Sequence, residues 1–115
     1  MTRTVAELLQ DVLDYGREAR AAVGDLEPDA ILAERFREHS VLRTVQIVGE
    51  AAAQALKLDP GLTDSIPDLR RAISLRNILV HGYVKLRMDE VVHIVRNDLP
   101  DLLAQVERLL GELRE

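Results

Sequence analysis

Apolar residues return every third or fourth position through almost the whole chain, from Val5 to Leu113, and that spacing lines one face of an α-helix. Nowhere do β-branched residues alternate with polar ones over the length of a strand, so the chain is restricted to helices packed on helices. Aromatic residues are only 3% of a sequence that is 47% hydrophobic, and the core must therefore come from Leu, Val, Ile and Ala. The 115 residues are enough for one hydrophobic core and small enough to gain from a partner. The expected fold is all-α, a single domain over 1–115 built as a four- or five-helix bundle with short loops.

Local signals divide the chain. Thr4 and Glu7 form a T-x-x-E capping box at the start of a helix whose stripe is Val5, Leu8, Leu9, Val12, Leu13, Ala19 and Val23, and Gly24 ends it. After a turn at Asp25 to Pro28, a helical region runs from Asp29 to Leu58, with Ile31, Leu32, Phe36, Val41, Leu42, Val45, Val48, Ala52 and Ala55 inward. Its length predicts a break near His39 and Ser40. Gly49 in its interior costs about 1 kcal/mol relative to Ala, and either a second helix crosses closely there or the defect is tolerated. Asp59-Pro60-Gly61 closes the region, and Leu62 to Pro67 connects to a helix from Asp68 to His81, with Thr63 or Ser65 available as caps. Lys85 to Asp89 reads as a turn, with Asp89 capping a last helix that is kinked or restarted at Pro100 with Asp98 as the cap.

Composition excludes several classes. No run of about 18 apolar residues exists, and no basic segment precedes an apolar one, so neither a membrane span nor a signal peptide is expected and a cytoplasmic location is. Without Cys there are no disulfides, thiolate metal sites or thiol nucleophiles. The net charge of −5 opposes nonspecific coating of nucleic acid. Locally the balance reverses: between Asp68 and Arg87, the residues Arg70, Arg71, Arg76, Lys85 and Arg87 face one acid, Asp68. Such an island can grip a phosphodiester backbone, although Arg70 and Arg71 also fit a solvated helix face.

The island surrounds Leu75 to Tyr83, L-R-N-I-L-V-H-G-Y, where three side chains capable of chemistry sit among four branched aliphatics. Arg76 is a permanent cation with a planar donor fork, His81 exchanges a proton near neutral pH, and Tyr83 carries a phenol. With 13 Arg and 3 His, R-x-x-x-x-H arises by composition in about one such chain in three; demanding one of the two Tyr residues two places later lowers this to about 0.006. The longer pattern is informative.

This stretch resembles the R-x-x-x-x-H-x-Y signature of the HEPN superfamily, and within it the HepT-like toxin branch. The similarity continues in Gln46 to Ala52 (Q-I-V-G-E-A-A), Ile66-Pro67 and Asp98-Leu99-Pro100. One departure is that relatives place a Trp soon after the Ile-Pro pair, and this chain has none. The resemblance implies an endoribonuclease acting as the toxin of a type VII-like toxin-antitoxin pair, with Arg76 and His81 catalytic in a two-fold homodimer. It also implies that a minimal nucleotidyltransferase antitoxin transfers AMP from ATP to Tyr83.

RNA carries its own nucleophile, the ribose 2′-OH, so neither metal nor cofactor is required if protons and charge are managed. His81 would move the proton, Arg76 would neutralise the transition-state phosphate, and Asn77, one turn before His81, would orient the imidazole. Arg70, Arg71, Lys85 and Arg87 would bind substrate. On an ideal helix five residues advance about 7.5 Å and turn about 140°, so Arg76 and His81 diverge unless the helix unwinds at Gly82 or a second copy brings its own motif alongside.

Plainer roles exist for each residue. Arg76 fits a salt bridge to Glu50, His81 a helix C-cap, and Tyr83 ordinary packing. Glu90 and His93 form an isolated E-x-x-H that lacks the further ligands of a di-iron bundle, and His39 stands alone as a solvated residue. A catalytically inactive HEPN module that binds nucleotide or docks a nucleotidyltransferase is the alternative function, and a plain helical dimerisation protein the third.

Overall fold

In the computed structural model, which describes residues 2–79 and 84–114 with the backbone alone at 84–86, every regular element is helical. The order is α1 (Val5–Val23), α2 (Pro28–Ala33), α3 (Arg35–Leu58), α4 (Leu62–Ser65), α5 (Leu69–Ile78), α6 (Val84–Asn97) and α7 (Leu99–Leu113). Five of these have ten residues or more. They form the expected all-α bundle, and α2 and α4 are short connectors.

The capping box at α1 is present: Thr4 Oγ1 accepts from the Glu7 amide at 3.1 Å, and the Thr4 amide donates to Glu7 Oε1 at 3.2 Å. Gly24 closes α1 with φ at +51°, a conformation that costs a residue with a Cβ. Arg96 of α6 then holds the turn after it, donating to the Gly24 and Leu26 carbonyls at 2.9 Å each. Around this frame α1 packs on α3 and α7, and α5 lies across α3. Leu8, Leu9, Val12, Val41, Val45, Val48, Leu69, Leu75, Val91, Leu99 and Val106 fill the space between them, each nearly or wholly buried. Each such side chain contributes on the order of 1.5–3 kcal/mol relative to exposure, so the stripe pattern is the main organiser of the bundle.

Four sequence expectations shift. The break in the long helical region falls at Glu34, not at His39 and Ser40: Glu34 is extended (φ −115°, ψ 103°), and Arg37 bridges it at 2.9 Å while reaching the Ala22 carbonyl at 2.8 Å. Lys85 to Asp89 is no turn but the beginning of α6, because Met88 extends the Val91, Val92 and Val95 stripe back by one turn and no Gly or Pro interrupts it. Phe36, expected inward, is 88% exposed, and Leu113, the last residue of the apolar pattern, is 54% exposed. Pro100 does restart the chain in the first turn of α7, yet Asp98 leaves the helix uncapped and turns its carboxylate to Arg71 at 3.3 Å.

These contacts fix α5 at both ends. At its start Gln105 of α7 takes the Asp68 amide at 3.2 Å and donates to the Asp68 carboxylate at 2.8 Å. At its end the Arg87 guanidinium donates to the Leu79 carbonyl at 2.7 Å, satisfying one of the acceptors that a helix C-terminus leaves open. The expected extent of this helix to His81 runs into Val80 to Tyr83, which lie outside the described residues.

Candidate active site

Leu69, Ala72 and Leu75, three residues apart, are the buried face of α5. That orientation leaves Arg70, Arg71, Arg76 and Asn77 exposed. Where α5 crosses α3 the backbones nearly touch: a Cβ added to Gly49 would lie 2.9 Å from Arg76 Cβ and 3.0 Å from the Arg76 amide nitrogen. The glycine that looked anomalous inside α3 is thus the seat on which Arg76 rests, and the close crossing expected there is present.

Beside the crossing runs an open groove of ≈ 500 Å³, lined from α3 by His39, Leu42, Arg43, Gln46 and Glu50 and from the facing side by Arg76, Leu79 and Arg87. The lining thus combines apolar Leu42 and Leu79 with three guanidinium groups, those of Arg43, Arg76 and Arg87. Arg43 donates to Gln46 at 3.4 Å, and Gln46 donates to Glu50 at 3.2 Å. Glu50 lines the groove with Arg76, but no ion pair joins them, and among the described residues Arg76 has no hydrogen bond or ion pair. The plain salt-bridge role for Arg76 therefore finds no acid. A guanidinium left without a partner at a concave groove is suited to a doubly contacted phosphate.

The other sequence-derived site residues separate into groups. Arg87 joins Arg76 in the groove, with one arm committed to the Leu79 carbonyl and its Nε buried without a partner among the described residues. Arg70 and Arg71 do not line the groove. Arg71 lies toward α7, where Asp98 at 3.3 Å and Asp68 at 3.7 Å share it. Asn77 is exposed next to Arg76, while His81, Tyr83 and the side chain of Lys85 fall outside the described residues. Glu90 and His93 line a separate depression on α6 with Asp89, and among the described residues no cluster of three or more such groups is placed to hold a metal.

Sequence reading missed the α3 wall. His39 is exposed as expected, but it borders the groove instead of standing apart. The signal was the polar spacing 39, 43, 46, 50 on a helix whose opposite face is apolar, with Gly49 marking the crossing beside it.

Fold and site together define an all-α domain with an arginine-walled groove at a helix crossing. The chain belongs to the family described as Ribonuclease HepT-like, whose model matches residues 12–109. Among curated proteins it is similar to "Putative RNase MJ1380" of Methanocaldococcus jannaschii, 24% identical over 107 residues that cover 91% of this chain and 95% of that protein. Similarity extends to "Putative RNase MJ0127" of the same organism, 21% identical with 96% of this chain and 91% of the relative covered. "Putative RNase MJ0125" is 19% identical, with 98% and 97% covered. No solved structure gives a significant match.

Proposed function

We propose that this chain is a metal-independent endoribonuclease and the toxin of a toxin-antitoxin pair. The observation that carries the reading is Arg76, seated on Gly49 in the groove without an acid partner among the described residues and five positions before His81 in a HepT-like chain. In the reaction the 2′-oxygen of the substrate ribose attacks the adjacent phosphorus while His81 takes or gives the proton. The bond from phosphorus to the 5′-oxygen breaks, leaving a 2′,3′-cyclic phosphate and a protonated 5′-hydroxyl. Arg76 neutralises the charge that grows on the phosphate oxygens. Arg87 and Lys85 add positive charge along the strand, Asn77 orients the imidazole, and Arg70 adds an exposed cation outside the groove, while Arg71 is shared by Asp68 and Asp98.

The divergence of positions 76 and 81 along a helix is resolved by a homodimer in which two motif segments share one cleft. Control follows from Tyr83: AMP transferred there from ATP by a partner nucleotidyltransferase would place a phosphate beside Arg76, where it competes with the substrate.

The test is incubation of the purified chain with end-labelled RNA in EDTA. Cutting that leaves cyclic-phosphate ends, persists in EDTA and disappears in Arg76→Ala and His81→Ala supports the reading. Cutting that requires an added divalent ion overturns the metal-free mechanism. Binding of nucleotide without cleavage replaces the nuclease by a binding module.

A further inference from the structure

We propose that Phe36 is a stacking platform for an unpaired base and that the outer face of α3 is the track for single-stranded RNA entering the groove. This rests on the ribonuclease reading above and adds to it where the strand runs and what holds it. The chain has one Phe, and 88% of its surface is exposed at the start of α3. A large aromatic in that position contributes little to the core and leaves apolar surface in water. Its place on the helix gives it a context. Phe36, His39, Arg43, Gln46 and Glu50 follow one another at spacings of three and four, so they share one stripe of α3, and the last four of them line the groove with Arg76.

Along that stripe the ingredients of a sequence-tolerant single-strand site occur together: cations to follow the backbone and an aromatic face on which a base can lie. Thirteen residues separate Phe36 from Gly49, where Arg76 sits, or about 20 Å of helix. Arg43 stands between them, and Arg35 is exposed beside Phe36. Among the described residues Arg35 has no ion pair, and Arg43 has none either, its one bond being to the Gln46 amide. The acid in the groove is Glu50, at the Arg76 end, so the Phe36 end presents only positive and neutral groups along the stripe. A helical protein partner would bring a broad apolar face, whereas the exposed apolar surface here is a single ring beside exposed Arg35, its other neighbour Arg37 being held by Glu34 and the Ala22 carbonyl.

The experiment measures binding of a fluorescein-labelled, single-stranded 2′-O-methyl oligonucleotide, which cannot be cut because its 2′-oxygens are blocked. Phe36→Ala is expected to weaken binding about 5- to 150-fold, the loss of one stacked base, while Phe36→Trp restores it. Because the chain has no Trp, position 36 then reports alone, and its emission is expected to be quenched at saturation. Arg43→Ala should lower the slope of log affinity against log salt by about 0.7, one phosphate contact on a single strand.

Equal affinity of Phe36→Ala and wild type, or an unquenched Trp at saturation, overturns the proposal. So does sedimentation showing that Phe36→Ala dissociates an oligomer, which would make Phe36 a subunit contact. Cleavage of unmodified RNA by the wild type separates the two readings. A chain that cuts RNA with Phe36→Ala unaffected refutes the platform alone, and one that binds the probe through Phe36 but never cuts refutes the nuclease alone.

Discussion

Replacing Gly49 by Ala is the sharpest probe of how the groove is built. The new Cβ would meet Arg76 Cβ at 2.9 Å and the Arg76 nitrogen at 3.0 Å, and the Ala72 carbonyl oxygen at 3.2 Å. None of these atoms is the far end of a flexible side chain, so relief requires α5 to move away by roughly 0.5–1 Å to reach ordinary carbon contacts. Two terms oppose each other: Ala is better than Gly inside a helix by about 1 kcal/mol, and overpacking costs about 1–3 kcal/mol. The net expectation is a loss of about 0–2 kcal/mol, or a fall in Tm of roughly 4 °C per kcal/mol. Activity should suffer far more than stability, because a displacement of about 1 Å in a positioned group can cost about 100-fold in rate. Urea unfolding and single-turnover RNA cleavage, measured on the same preparation, give both numbers. If Gly49→Ala gains the full helix-propensity benefit and cuts RNA at the wild-type rate, the crossing is looser than described and Arg76 is not held by it.

Other outcomes follow from named contacts. Thr4→Ala removes the capping box of α1 and is expected to cost about 1 kcal/mol in urea unfolding without changing RNA cleavage. Arg87→Ala leaves the Leu79 carbonyl without its donor and should cost about 1–3 kcal/mol, with Arg87→Lys recovering part of it. Asp98→Asn, by contrast, disturbs a single pair with the largely exposed Arg71, which Asp68 also holds, and should shift stability by less than about 1 kcal/mol. Mixing Arg76→Ala with His81→Ala should restore cleavage if two copies share a site, since the mixed dimer then contains one intact Arg-His pair; no recovery on exchange of subunits places both groups in one chain.

Much of this architecture was legible because helical period and capping chemistry are local. Thr4 with Glu7, the stripe of α1, the restart at Pro100 and the close crossing at Gly49 each follow from a few neighbouring residues. What escaped depended on tertiary packing. Phe36 is apolar and fits the inward period of its region, but the break at Glu34 resets the helix phase and turns it outward. The start of α6 was hidden because Lys85 and Arg87 look like loop residues, while Met88 among them faces the core. At the site, Arg76 stood out by motif, whereas His39, Arg43, Gln46 and Glu50 lie at least 26 positions earlier and meet it only because α5 lies across α3.

The most direct measurement is the single-turnover rate of RNA cleavage by Arg76→Ala in EDTA, with folding followed in parallel. Arg76 has no ion pair or hydrogen bond among the described residues, so its loss should leave Tm unchanged while the rate falls about 100- to 1,000-fold, the effect of removing one charge-stabilising donor from a transition state. A variant that melts as the wild type does and still cuts at the wild-type rate would contradict the account.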